Sequence, residues 1–239
     1  MTVAQNVTRR LTALAEAYRL SAGALPALAD LLALGAADPT APTAIRDPAE
    51  AVDRHVADAL VALEMPQVRE SRRIADVGSG AGWPGLALAA ALPEARVALV
   101  ESALRNCRYL ERAVEASGLG NVVVVHARAE DWPEGIGAHD LVTVRAVAAL
   151  PVLCEYAAPL LAEGGSLMAW KGAVSDDEAA DGRAAASELG LEPTEVLSVT
   201  PFPAAREHTL HVFRKTAPTP PRYPRRPGIA TKRPLSARS

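Results

Sequence analysis

The first 65 residues carry apolar side chains at helical spacing. Leu11, Leu14, Ala15 and Tyr18 share one face, and Leu25, Leu28, Leu31 and Leu32 share the next. Pro39 and Pro42 mark a loop. Asp47-Pro48 predicts an N-cap followed by proline at the first helical position. The helix after it buries Val52, Val56, Ala59, Leu60 and Leu63 and ends at Pro66. From Arg72 the rhythm changes to short strands alternating with helices. Strands are predicted at 74–77, 96–100, 121–126, 140–144 and 166–170. Helices are predicted at 86–92, at 102–117 between a Ser102 cap and Gly118, and from Pro151 to just before Gly164-Gly165. A further helix begins at a Ser175/Glu178 capping box and closes at Gly190. The run Val122-Val123-Val124-Val125 has the composition of a strand buried on both faces. Two last strands, at 195–199 and 209–214, are expected to pair antiparallel. From Thr216 onward there are six prolines in 24 residues, which predicts an extended arm without strand or helix.

Repeated strand–helix–strand units argue for an α/β fold, a doubly wound sheet with right-handed crossovers. Three stretches follow from the pattern: a helical extension at 1–66, an α/β domain at 67–215 and a basic, proline-rich tail at 216–239. A chain of 239 residues suits one domain with such appendages.

Hydrophobic residues make up 49% and charged residues 22%, so wholesale disorder and collagen-like classes are excluded. No apolar run approaches the roughly 20 residues a bilayer requires, so no membrane partner is expected. The N-terminus lacks a basic segment followed by an apolar one, so no leader is expected. Cys107 and Cys154 form no Cys-x-x-Cys pair and no zinc set with the five histidines. A reducing, cytoplasmic location and no metal are therefore expected. The abundance of Arg and Ala reads as genome composition. The net charge of −3 conceals an asymmetry: residues 214–239 hold eight basic side chains and no acid, leaving −11 on residues 1–213. A concentrated basic tail points to a polyanion partner.

The central motif is Asp76-Val77-Gly78-Ser79-Gly80-Ala81-Gly82-Trp83-Pro84-Gly85, between the first strand and a helix. Glycines there let backbone approach a ligand. A dinucleotide site requires Gly-x-Gly-x-x-Gly, but here the third position is Trp83. S-adenosylmethionine fits better. Glu101, at the end of the second strand, suits a carboxylate accepting both ribose hydroxyls. Ala129-Glu130, after the third strand, suits an adenine amino group, and Asp76 suits the ammonium of the methionine part.

With these residues in place, the chain resembles the bacterial small-subunit rRNA guanine-N7 methyltransferases, RsmG or glucose-inhibited division protein B (GidB). The motif from Asp76 to Gly85 is similar to that family's Asp-Val-Gly-[Ser/Thr]-Gly-x-Gly-x-Pro-Gly. Arg54-His55 with Asp58, Arg145-Ala146, Lys171-Gly172 and the Tyr223–Gly228 tail segment are similar to its other motifs. The resemblance implies a class I S-adenosylmethionine-dependent methyltransferase (Rossmann-like) sheet with helices on both faces. It also implies donor contacts at Gly78, Trp83, Ala129, Glu130 and Arg145, with Glu101 on ribose, and as substrate a guanine in the decoding-region hairpin of 16S rRNA, within the small ribosomal subunit or its precursor. Glu101 stands where many members have Asp, and Trp83 where Phe or Leu is common. His208 sits near a Glu-Arg-His pattern but in a different order, so no role is carried over to it.

The acceptor chemistry agrees. Exocyclic amine methylation uses an Asn/Asp-Pro-Pro-aromatic segment after the fourth strand, where this chain has Arg145-Ala146-Val147-Ala148. Cytosine C5 methylation needs a cysteine nucleophile, and neither Cys107 nor Cys154 is placed for it. Guanine N7 has a free lone pair and loses no proton, so positioning groups suffice. Arg145, Lys171 and His55 are the candidates. A small-molecule methyltransferase and a non-catalytic rRNA-binding protein are the alternatives, and a nicotinamide oxidoreductase lacks its third glycine. The tail and the N-terminal helices are the expected RNA surface. Losing the tail is expected to change stability little unless Tyr223, Ile229 and Leu235 anchor it to the fold.

Overall fold

The computed structural model describes residues 2–237; Arg238, one of the eight basic tail residues, lies outside them. Seven strands form one sheet in the order β3-β2-β1-β4-β5-β7-β6. They are β1 (Arg73–Val77), β2 (Arg96–Glu101), β3 (Val122–His126), β4 (His139–Arg145), β5 (Leu161–Lys171), β6 (Leu191–Val199) and β7 (His208–Lys215). β1 to β5 are parallel, and β7 runs antiparallel between β5 and β6. Strand order reverses between β1 and β4, so a crevice opens at their carboxyl ends.

Alternation along the strands sends successive side chains to two different layers. Ile74, Val97, Leu99, Leu141 and Met168 enter one core, shared with α1 (Val3–Tyr18), α2 (Ala24–Ala37), α6 (Gly85–Ala91) and α7 (Leu104–Ser117). Ala75, Ala98, Val100, Val142 and Leu167 enter the other, under α8 (Leu150–Ala157) and α9 (Asp176–Glu188). The N-terminal helices thus belong to one face of the sheet.

Between α2 and β1 the chain is helical but irregular. It runs through α3 (Pro48–Ala51), a π-helical turn (Val52–Ala57), α4 (Asp58–Leu60), a 3-10 turn (Val61–Glu64) and α5 (Pro66–Glu70). The expected cap is present, with Asp47 accepting the Ala49 N–H at 2.9 Å. Pro66 ends one helix as expected but also opens α5, because proline is well suited to a first helical turn.

Several expectations are corrected. The residue capping α7 is Ala103, not Ser102; the Glu101 carboxylate accepts its N–H at 2.7 Å. The valine run is an edge strand, and Val123 is 56% exposed. Its composition suits a buried strand, but only position in the sheet decides burial. β5 begins at Leu161 and passes through Gly164-Gly165, because a register shift between His139 and Leu141 keeps it paired with β4. Ser175 caps α9, accepting the Glu178 N–H at 3.2 Å. The Glu178 side chain does not complete the box; it accepts the Leu150 N–H at 3.0 Å and pairs with Lys171 at 2.7 Å.

The tail is not a free arm. It contains a short helix, α10 (Ile229–Lys232), and packs on the α8/α9 face. Tyr223 and Ala230 are buried, and Leu235 packs against the same core. Arg225 grips Glu155 of α8, and Arg222 pairs with Glu188 of α9 at 3.0 Å. Losing this segment would uncover core, so the expectation of unchanged stability is overturned.

Candidate active site

After Val77 the chain turns at once. The N–H groups of Gly78 and Ser79 donate to the Val100 carbonyl at 2.8 and 3.3 Å, holding the turn over the end of β2. Gly78 has φ +70°, and a Cβ there would lie 2.6 Å from Val147 Cγ2. Gly82 has φ +92°, and its Cβ would lie 2.2 Å from Leu86 Cδ1. Any side chain at either position would be strained and would collide with its neighbour. The loop therefore presents bare backbone at the switch point.

Glu101 closes this loop from β2. It is 6% exposed, and its Oε2 accepts the Gly80 N–H at 3.0 Å. Each carboxylate oxygen can accept a second bond. A hollow of about 130 Å³ opens nearby, lined by Gly78, Ser102, Ala129, Glu130, Val147 and Tyr156. Glu130 Oε1 accepts the Gly228 N–H of the tail at 3.0 Å.

The sequence reading places Asp76 beside an ammonium; the structure turns its carboxylate inward. It is 1% exposed, accepting from Thr143 Oγ1 at 2.8 Å and from the Gly85 N–H at 3.3 Å. Burial pushes its pKa up to about 6, against the lowering effect of these donors. Asp76 thus ties β1 to β4 and to the start of α6, and supports the loop from beneath. Trp83 is likewise buried, with its ring stacked on His55 at 5.4 Å and 9°. What Trp83 offers a ligand is its backbone.

A second cavity, about 490 Å³, is lined by Arg54, His55, Asp58, Arg145, Lys171 and His208, among others. Ala146 and Ala148 line this cavity and Val147 lines the first, so the segment after β4 divides them. Ala146 has φ +57°, a conformation rare for a residue with a Cβ. The π-helical turn carries Arg54 and His55 to the rim; such turns recur at functional sites.

Asp58 is the hub of the larger cavity. It is 4% exposed; Oδ2 accepts from Arg145 at 2.7 Å and Oδ1 pairs with His208 Nδ1 at 3.0 Å. The Trp170 indole donates to its carbonyl at 2.8 Å. Arg145 also donates to the Arg54 carbonyl at 3.0 Å. Arg145 and Trp170 are register partners, so Lys171 points to the opposite face. There it meets Glu178 and the Ala148 carbonyl at 3.1 Å.

His55 is held neutral. Burial, reinforced by the Arg145 charge, lowers its pKa to about 4. Its Nδ1 lies 3.5 Å from an Arg145 guanidinium nitrogen and its Nε2 lies 3.1 Å from Thr43 Oγ1. A base whose folded pKa lies below its unfolded value contributes stability that is lost as pH falls from about 6.5 to about 4. Asp76, with its raised pKa, acts in the opposite sense: its share of stability is lost as pH rises through about 6. His55→Gln is therefore expected to flatten the acid-side loss of stability. Urea melts between pH 4 and 7 check this; an unchanged pH slope would contradict it.

The structure thus lines one hollow with Gly78, Ala129 and Glu130, and the other with Arg145, Lys171 and His55; Glu101 and Gly80 are bonded to each other in the loop and do not line the smaller hollow. Asp76, Gly82 and Trp83 support the loop from below. Sequence reading gave no site role to Asp58, His208, Val147 or Tyr156. The Arg54-His55-x-x-Asp58 step was the available signal for Asp58, and the histidine beside Glu207 was a weak one for His208. Nothing local marks Val147 or Tyr156. Among the described residues, no group of three or more His, Cys, Asp or Glu could hold a metal ion, and no helix is long and apolar enough to cross a membrane.

Residues 34–208 match the family model described as rRNA small subunit methyltransferase G (GidB). The chain is 40% identical over 196 residues to the ribosomal RNA small subunit methyltransferase G of Desulfitobacterium hafniense, covering 81% of each chain. It is 43% identical over 202 residues to that of Roseiflexus castenholzii, covering 81% of this chain and 83% of the relative. Among solved structures it is similar in fold to a SAM-dependent O-methyltransferase from Thermotoga maritima, with TM-score 0.53, 18% identity and coverage of 68% and 66%. It is also similar to Aeropyrum pernix fibrillarin with natively bound S-adenosyl-L-methionine, with TM-score 0.51, 23% identity and coverage of 66% and 73%.

Proposed function

The chain belongs to the rRNA small subunit methyltransferase G family, and from that premise we propose that it transfers a methyl group from S-adenosylmethionine to N7 of a guanine in the decoding region of 16S rRNA. One observation carries the reading at the level of the site. A glycine-rich turn meets the Glu101 carboxylate at the β1/β4 switch point, beside a cavity lined by Arg54, Arg145 and Lys171.

The residues present fit the donor. Gly78 lines the hollow with bare backbone, Glu101 has acceptor capacity for two hydroxyls, and Ala129 with Glu130 offers an apolar wall and an acid. Gly78, Gly80, Glu101, Ala129 and Glu130 would hold it, with the Trp83 backbone alongside and Asp76 and Gly82 shaping the loop. When bound, the donor supplies an electrophilic methyl group on a sulfonium. The chain's own task is placement. Guanine N7 needs no base, and positioning alone can lower a barrier by up to ~7–11 kcal/mol. Arg145 holds its guanidinium at the wall of the larger cavity, where guanine O6 or a phosphate oxygen would find a donor; Lys171 also lines that cavity, but its ammonium is engaged by Glu178 and the Ala148 carbonyl. His55, neutral and stacked on Trp83, sets the Arg145 guanidinium and takes no part in proton transfer.

In duplex RNA, N7 lies in a groove too narrow for side chains, so the acceptor is an unpaired or splayed guanine. We read residues 1–66 as the layer that brings Arg54, His55 and Asp58 to the acceptor cavity, 67–215 as the methyltransferase domain, and 216–239 as a basic arm. Exposed Arg226, Lys232 and Arg233 are the arm's candidates for phosphate contact. The partner is 16S rRNA in the small subunit or its precursor, in the cytoplasm.

The test is transfer of labelled methyl from S-adenosylmethionine to small subunits, free 16S rRNA and a metabolite extract, followed by nucleoside digestion and mass spectrometry. The expected product is N7-methylguanosine in rRNA, at a site cleaved by reduction and aniline. Methylated cytosine or adenine, or label confined to the metabolites, would overturn the proposal.

A further inference from the structure

The C-terminal arm crosses the α8/α9 face and passes the donor hollow on its way. Tyr223 is buried, with its hydroxyl on Glu188, and Arg225 holds Glu155. Ser236 Oγ donates to Asp181 at 3.0 Å near the far end. Between these anchors the arm touches two residues that line the hollow. The Gly228 N–H donates to Glu130 Oε1 at 3.0 Å, and Thr231 Oγ1 lies 3.0 Å from the Tyr156 hydroxyl. Gly228 has φ +80°, which turns its amide and starts α10 in the same step. Ala230, in the middle of α10, is 1% exposed.

We propose that Gly228 and Thr231 are positioning residues of the donor site, and that the arm is part of the site. The inference rests on the reading that the hollow receives the adenosyl end of S-adenosylmethionine. Glu130 is a flexible side chain on a short 3-10 turn (Ala129–Asp131). A fixed N–H on one carboxylate oxygen selects its rotamer and leaves the other oxygen for a ligand amino group. Tyr156 is fixed the same way through its hydroxyl. A wall that is already ordered binds more tightly than one ordered by the ligand. Because both groups touch the arm, donor binding and arm docking are linked, and the linkage is reciprocal. The acid-free composition of the arm fits this placement: it packs a basic segment onto a face that presents Glu130, Glu155, Asp181 and Glu188.

The experiment uses the full chain, with S-adenosylhomocysteine as the probe. Thr231→Val and Gly228→Ala are measured by calorimetry, well below their melting temperatures. Thr231→Val, which removes a neutral hydrogen bond, is expected to weaken the probe by about threefold to tenfold. Gly228→Ala keeps the N–H but strains the φ of +80°, and moving that N–H off the Glu130 carboxylate is expected to weaken the probe at least as much. KM for S-adenosylmethionine should rise while kcat is kept. A merely structural contact would move the melting temperature and leave KM alone. In the wild type, the probe should slow tryptic cleavage after Arg222, Arg225 and Lys232. If the wild type binds the probe, but Thr231→Val binds within twofold of it and cleavage is unaffected, the arm plays no part in the site and the donor reading stands. If the wild type fails to bind the probe at all, the donor reading falls and the inference falls with it.

Discussion

Glu101→Ala is expected to weaken S-adenosylhomocysteine binding by about 100- to 10,000-fold while the fold survives. Two hydrogen bonds to a charged acceptor contribute about 1.5–3 kcal/mol each, which sets that range. The variant also releases the Gly80 and Ala103 amides that Glu101 now holds at 3.0 and 2.7 Å. Those amides sit at the mouth of the crevice, where water can replace the carboxylate. The loop's deeper supports remain: Asp76 on Gly85 and Thr143, and Gly78 on the Val100 carbonyl. Glu101→Asp keeps the charge and should retain most of the binding. Calorimetry of the three proteins, with thermal melts alongside, decides the matter. Equal affinity in Glu101→Ala and the wild type would remove Glu101 from the donor site.

Arg225→Ala is the substitution expected to cost most stability. Glu155 is fully buried on α8, and both of its carboxylate oxygens are held by the Arg225 fork. Arg225 itself keeps 23% of its side chain exposed, so its own desolvation is modest. The hydrogen bond to Glu155, helped by its charge, raises the Arg225 pKa further. Removing the arginine strands a carboxylate in an apolar layer beneath the arm. Breaking such a pair costs about 3–5 kcal/mol, or a fall of roughly 6–20 °C in Tm for a chain of this size. The double variant Glu155→Leu with Arg225→Met should recover most of the loss, since an apolar replacement of a buried pair is often neutral. Thermal and urea melts of the two proteins test this. A loss below about 1 kcal/mol in Arg225→Ala would mean that the arm is undocked in solution.

Both expectations concern residues that sequence reading treated very differently. Glu101 was legible because its role depends on its place in the chain: an acid ending the second strand after a glycine-rich turn. The same holds for Gly78 and Gly82, whose positive φ angles are local demands of a tight turn. Arg225 was legible only as charge. Its partner lies 70 residues away on another element, and nothing in the tail's composition separates an arm that docks from one that does not.

Local physics also explains why the order of elements could be read directly. Helical spacing, period-two alternation, the Asp47 cap and the Gly118 stop each act over a few residues, so the sequence alone determined an α/β sheet preceded by a helical layer and the turn that meets the ligand. Tertiary structure decided everything that depends on which elements become neighbours. Strand order put the valine run at an edge. Alternation across β4 and β5 sent Arg145 and Lys171 to opposite faces. Asp58 became a hub because His208 and Arg145, 150 and 87 residues away, converge on it. The arm closed over Glu130 because α8 and α9 offered it buried acid and apolar surface. Those pairings are settled by the packing of the whole sheet, and no window of neighbouring residues contains the energy that selects them.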